Sequence, residues 1–300
     1  MLPNAEPAAP DTSALLRRMW AFFELTKPRI TTLVVFTTLV GFVVGSASPI
    51  HKLAGVVALL GTALVAAGAS ALNMVLERDT DALMLRTRYR PIPSGRVSAT
   101  EAAVFGSMLT VVGLGVLGAG SGLMAALVAF VTWSSYLFLY TPLKRITSLA
   151  TLVGAAPGAL PPLIGWAAAR GTLDWGGWLL FGILFLWQIP HFLAIAWLYR
   201  NDYELGGLRT LSVVDPEGRI CGRQAFYYTL ALGPLSLLPP LVGLSGLLYL
   251  TGALVLGLGV GLAALRFALL RSDAAARLLF LSSVVYLAAL SGLLILDRVV

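Results

Sequence analysis

Residues 54–76 read AGVVALLGTALVAAGASALNMVL and run directly into Glu77-Arg78-Asp79-Thr80-Asp81. The 23 residues carry no charge, and about 20 apolar residues in a helix suffice to cross the hydrocarbon core of a bilayer. Backbone groups in hydrocarbon must be paired within the segment, so the stretch is helical. Similar stretches recur at about 31–50, 101–119, 122–141, 148–168, 175–198, 225–242, 245–265 and 275–296. The reading is an all-α, polytopic membrane bundle of about nine transmembrane helices. Composition agrees: 58% of the 300 residues are hydrophobic and 12% charged, mean hydropathy is +0.87, and soluble domains carry about 25% charged residues. Residues 1–24 form a polar to amphipathic N-terminal segment, and 25–300 a single transmembrane domain. The start lacks an apolar core followed by a small-residue cleavage site, so no cleaved signal peptide is expected.

The net charge of +7 is not a nucleic-acid signature, because the basic residues sit in short loops between spans. Alternating the spans places 18 of the 21 Lys and Arg residues on one side. That side is cytoplasmic by the positive-inside rule, which puts the N-terminus inside and, with nine spans, the C-terminus outside. Two inward loops, about 77–100 and 199–224, are long and hold acids as well as bases. They lie four spans apart, a hint of internal duplication. Trp20 and Trp197 near inner ends, with Trp166, Trp175 and Trp178 near outer ends, read as interfacial belts. One cysteine, Cys221, excludes an intramolecular disulfide and a cysteine-rich metal cluster. It and the outer His51 read as structural.

Chemistry concentrates in the inner loops. Asn73, Glu77 and Asp81 are spaced by four and share one helical stripe. Three oxygen-bearing groups there suit a hard divalent ion such as Mg²⁺, which completes its shell with water and phosphate oxygens; the alternative is a solvated helix end balanced by Arg78 and its neighbours. Next come Arg86, Arg88, Arg90 and Arg96, whose guanidinium groups can clamp phosphate or mark topology and anionic lipid. The second loop opens with Arg200-Asn201-Asp202-Tyr203-Glu204, and Asp202 either faces the first acids across a metal or is a solvated loop acid. Pro190 is expected to kink the span before it. His191 precedes Asp202 by eleven residues and shares its face if the helix continues; it is a metal or substrate contact, a proton acceptor, or an interior histidine bonded to a neighbour. Lys27 and Arg29 before the first span, and Lys144 and Arg145 beside Tyr140 at the end of the fourth, add cations at the same level, as substrate contacts or as topology signals only.

At these residues the chain resembles the intramembrane prenyltransferase superfamily, and within it the protoheme IX farnesyltransferase (heme O synthase) branch. The superfamily's Asn-x-x-x-Asp/Glu-x-x-x-Asp pattern is matched by Asn73, Glu77 and Asp81. The branch is marked by LTKPR at Leu25–Arg29, RTxxRP at Arg86–Pro91, PSGR at Pro93–Arg96, GALPPLIGW at Gly158–Trp166, PHF at Pro190–Phe192 and NDYxxGG at Asn201–Gly207. Many superfamily members carry a further Asp four residues after Asp202, where this chain has Gly206.

The resemblance implies that Asn73, Glu77, Asp81 and Asp202 hold Mg²⁺ against farnesyl diphosphate while Arg78, Lys144 and Arg145 meet the leaving group's charge. It implies heme b as acceptor, attacking through a vinyl group to give heme O after water addition, with His191 contacting the heme. Arg86 and Arg90 would hold either heme propionates or diphosphate. A bacterial inner membrane location follows, with the site on the cytoplasmic side and a heme A synthase or oxidase assembly factor as partner. The rivals are a prenyltransferase with an aromatic acceptor, which should lack the branch stretches, and a secondary transporter, whose site would lie at the bilayer midplane.

Overall fold

A computed structural model describes residues 12–46 and 50–298. Residues 1–11 of the expected N-terminal segment, 47–49 of the first expected span and 299–300 lie outside the described residues. In chain order the helices are α1 (Thr12–Leu25), α2 (Pro28–Gly45), α3 (Lys52–Leu76), α4 (Arg78–Leu83), α5 (Ala99–Gly120), α6 (Leu123–Leu143) and α7 (Ala150–Arg170). They continue as α8 (Trp175–Leu198), α9 (Arg200–Leu205), α10 (Leu211–Val214), α11 (Arg219–Ser236), α12 (Leu238–Leu241), α13 (Leu247–Leu270) and α14 (Asp273–Leu296). Among the described residues there is no strand, only one isolated bridge between Ser245 and Arg298.

Eight helices are long and apolar enough to cross a membrane: α2, α3, α5, α6, α7, α8, α13 and α14. The ninth expected span, 225–242, is split between α11 and α12. Pro234 lies inside α11, and the chain breaks at Leu237 before Pro239 and Pro240. Each proline lacks a backbone N–H and crowds the preceding turn. The rows of leucine and valine facing outward on α13, such as Val255, Leu258, Leu262 and Leu269, suit hydrocarbon rather than water.

Packing runs from α3 to α5, α5 to α6 and α6 to α7, and through α8 to α11, α13 and α14; α2 packs on α3 and α7, and α14 touches α2. Small residues let the backbones approach. At Gly41 an added Cβ would lie 1.9 Å from the Pro162 carbonyl oxygen, and at Gly165 the same distance from that of Thr38. The α2–α7 contact therefore requires glycine on both sides. The described part of the N-terminal segment is docked: Ala21 and Leu25 of α1 pack with Ala71, Met74 and Ala102, and Arg18 pairs with Glu101.

Two readings need correction. Trp166 and Trp197 are not interfacial anchors, being only 1% and 5% exposed. Each lies in the core under an arginine, Arg170 and Arg200 respectively, because the neighbouring Gly176 and Gly218 leave room for the indoles. Trp20, Trp175 and Trp178 are exposed, as belt residues should be. The helix carrying His191 does not run on to Asp202 either. It ends at Leu198, and Tyr199, at φ −112° and ψ 23°, turns the chain into α9. Pro190 lies within α8, which is continuous across it.

Candidate active site

The acid stripe survives a break in the helix. Glu77 leaves helical geometry between α3 and α4, yet its amide still donates to the Asn73 carbonyl at 2.9 Å and the Asp81 amide to the Glu77 carbonyl at 2.8 Å. The i, i+4 register thus holds across the junction. Asn73 and Asp81 are fully buried. Arg78, one residue off the stripe, is exposed, and among the described residues its ion pair is with its exposed neighbour Asp79, at 3.5 Å.

Every oxygen group on the stripe meets a cation from outside it. Lys27 Nζ donates to Asn73 Oδ1 at 2.7 Å, and Lys144 Nζ to Glu77 Oε1 at 2.7 Å. Arg90 Nη1 reaches both Asp81 oxygens, at 2.8 and 2.7 Å. Arg145 donates to the Thr80 hydroxyl. Burial pulls the Lys27 ammonium down to about 7, and Arg90 adds to that against the pull of Glu77. Burial alone would raise Glu77, but Lys144 and Lys27 outweigh it and hold the carboxyl below its usual range. For Lys144, burial is outweighed by Tyr140 and Glu77, and the ammonium is held above its usual value. Lys27 itself adopts a left-handed conformation, φ 46°, at the start of α2.

The supporting residues carry weak sequence signals. Asn73 Nδ2 donates to the Thr141 hydroxyl at 3.0 Å, which in turn donates to the Tyr136 carbonyl at 2.8 Å. That carbonyl belongs to a π-helical stretch, Ser135–Tyr140, a feature that recurs at functional sites. It brings the Tyr140 ring to 4.3 Å from Lys144 Nζ.

Asp202 stands apart from the stripe's side chains. Its two oxygens accept from the amides of Leu85 and Arg86, at 3.2 Å each. The second loop thereby ties down the first, and the Arg209 amide, donating to the Lys144 carbonyl at 2.9 Å, ties it to the end of α6. A Cβ at Gly206 would come within 2.9 Å of Met84 Cγ and 3.2 Å of Thr80 Cγ2. The aspartate that many superfamily members carry at that position would have to displace the Met84 and Thr80 side chains.

Beside this polar cluster opens a cavity of about 610 Å³ between α2, α8 and α14, within the range of small-molecule sites. Its walls are apolar except for Arg29 and Arg86, His191 on α8 and Tyr199 just past its end. His191 is held between Trp187 and Phe280, with ring centroids at 4.7 and 5.0 Å. Its Nδ1 lies 2.8 Å from Ser283 Oγ, and the Ser283 hydroxyl is already donating to the Phe280 carbonyl at 2.7 Å. With the hydroxyl donating to that carbonyl, Ser283 accepts from His191, an arrangement in which Nδ1 carries the proton and Nε2 keeps a lone pair. Sequence reasoning missed Ser283, Thr141, Thr80 and Phe280; the only hint was the polar pair Ser282-Ser283 inside an apolar span.

A bundle end combining buried carboxylates, converging cations and an adjoining apolar cavity is a place for an anionic head on a greasy body. Residues 34–284 match the UbiA prenyltransferase family. The chain belongs to that family. A protoheme IX farnesyltransferase of Solibacter usitatus is 47% identical over 286 residues, covering 92% of this chain and 98% of that protein. Another, of Koribacter versatilis, is 41% identical over 308 residues, covering 99% and 98%. Among solved structures, a digeranylgeranylglyceryl phosphate synthase superposes with TM-score 0.79 at 16% identity, covering 93% of this chain and 98% of that one. A UbiA homolog from Archaeoglobus fulgidus bound to GPP and Mg²⁺ gives 0.64 at 15%, covering 91% and 99%. The family fold is thus shared at low identity, and the chain is a multi-pass membrane protein.

The donors of the acid stripe fit a hard divalent ion. They are oxygens only, and the protein's own ammonium and guanidinium groups occupy them in the way a metal would. Among the described residues no three His, Cys, Asp or Glu side chains are grouped closely enough to hold an ion alone. An ion bound here would draw much of its shell from water and phosphate oxygens, as Mg²⁺ commonly does.

Proposed function

We propose that this protein transfers the farnesyl group of farnesyl diphosphate to a vinyl group of heme b, giving heme O and diphosphate. The observation carrying this reading is the adjacency of two unlike sites sharing short stretches of chain. Lys27 and Arg90 reach the acid stripe, while Arg29 and Arg86, two and four residues away, line the apolar cavity. The names of the relatives at 41–47% identity supply the donor and acceptor.

Asn73, Glu77 and Asp81 would hold Mg²⁺, which supplies positive charge to the diphosphate oxygens; Asp202, set apart on the second loop, would reach it through water or the diphosphate. Lys144 and Arg145 meet the charge that builds on the leaving group; preorganised cations of this kind lower such barriers by several kcal/mol. Arg78, exposed beside Asp79, touches none of the stripe's oxygens among the described residues. The allylic cation left behind is shielded from early water by the apolar bundle. A vinyl group of heme b adds to it, and one water then captures the resulting cation and releases a proton. His191, with Nε2 bare, contacts the heme from the cavity wall. The site faces the cytoplasm from a bacterial inner membrane, and the product passes to a heme A synthase or oxidase assembly.

The test uses membranes bearing the protein, supplied with farnesyl diphosphate, heme b and Mg²⁺, and the extracted hemes are separated and weighed by mass spectrometry. Appearance of heme O supports the reading. Prenylation of an aromatic quinone precursor with heme b left unchanged would overturn it.

A further inference from the structure

We infer that Arg29 and Arg86 form a two-carboxylate clamp for the acceptor, so that the arginines of the 84–97 segment serve two different ligands. The inference rests on the functional reading above. Arg90 is committed to Asp81 on the polar side. Arg86 is turned the other way: its guanidinium lies 4.6 Å from the Tyr199 ring centre and 5.7 Å from that of Tyr203, at the wall of the cavity.

Oxygen partners separate these two arginines from the cations around the acid stripe. Lys27, Arg90, Lys144 and Arg145 each have an oxygen partner. Arg29 and Arg86 line an apolar cavity and, among the described residues, their guanidinium groups have no hydrogen-bonded or ion-paired oxygen. Two guanidinium groups at an apolar wall, arriving from different elements, lack only anions. A ligand with an apolar body and two separate carboxylates at one edge supplies both.

Depth is consistent with one ligand spanning the cavity. Arg200 pairs with Asp273 at 2.8 Å, which sets the start of α14 level with the end of α8. His191 lies eight residues before Tyr199 and Phe280 seven after Asp273, so both fall roughly 10–12 Å below the mouth at 1.5 Å per residue. A planar molecule held by its carboxylates at Arg29 and Arg86 would therefore present its centre near His191. Arg86 is also preorganised. Asp202 fixes its backbone amide and the two tyrosine rings restrict its side chain, which lowers the ordering cost of binding.

The test compares heme b with its dimethyl ester, in which both carboxylates are neutral, by absorbance titration of the purified protein in detergent micelles. Wild type, Arg29→Gln, Arg86→Gln and the double variant are measured, and circular dichroism checks that each is folded. Wild type should bind heme b about tenfold or more tighter than the ester, as expected for charge-assisted hydrogen bonds. Each single variant should narrow that ratio severalfold and the double variant should nearly abolish it, while the KM for farnesyl diphosphate stays within about twofold. An unchanged ratio in the variants, or a rise in farnesyl diphosphate KM in its place, overturns the clamp. A wild type that makes heme O but binds ester and acid equally overturns the clamp alone; one that binds no heme overturns the functional reading with it.

Discussion

Ser283→Ala isolates the contribution of one hydrogen bond to acceptor binding. The serine accepts from His191 Nδ1–H at 2.8 Å and is itself fully buried. The substitution removes one oxygen and leaves the backbone carbonyl of residue 283, which takes the Trp187 indole N–H at 2.7 Å, in place. An orphaned buried donor costs about 1–3 kcal/mol. The imidazole can escape that cost by turning or by moving its proton to Nε2, and either removes the lone pair from the cavity. Loss of such an outer partner lowers affinity for a metal-bearing ligand by about ten- to hundredfold. Titrating heme b into detergent-solubilised Ser283→Ala should show that loss, with farnesyl diphosphate KM unchanged and a wild-type melting profile to within a few degrees. A heme affinity equal to wild type would refute the assignment of the Nδ1 proton and, with it, the role of Nε2.

Asp81→Asn keeps the shape but deprives Arg90 and the bound ion of a carboxylate; heme O formation should fall by roughly 10²–10³, and near-normal yield would remove Asp81 from the site. Gly206→Asp should not restore a second-loop metal ligand but push α9 off Met84 and Thr80, an overpacking cost of about 1–3 kcal/mol read as a lowered melting temperature with reduced activity. Gly41→Ala places a methyl 1.9 Å from the Pro162 carbonyl and should destabilise by a similar amount; unchanged stability would mean the α2–α7 approach is looser than described.

Span positions were legible because the hydrocarbon core imposes length and apolarity directly on sequence. The exception is 225–242, where closely spaced prolines break a stretch that composition alone reads as one helix. At the site, Asn73, Glu77 and Asp81 were legible through their spacing, and the exposure of Arg78 is implicit in the same geometry, one residue being about 100° around the helix. The partners were not. Nothing in sequence links Lys144 to Glu77 or Ser283 to His191, because each pair is assembled by packing between distant helices. The tryptophans at 166 and 197 misled because a span end is also where a core tryptophan can lie under an arginine.

If the Lys27 ammonium serves the proposed reaction through its bond to Asn73, its left-handed turn sets folding against catalysis at a single position. Glycine accepts φ 46° without a steric penalty, and the constraint on a residue preceding proline makes the native backbone costlier still. Lys27→Gly should therefore melt higher than wild type while forming far less product, and a screen for thermal robustness would select the inactive chain. If that variant is less stable, the ammonium contributes more to holding α2 against Asn73 than its backbone costs.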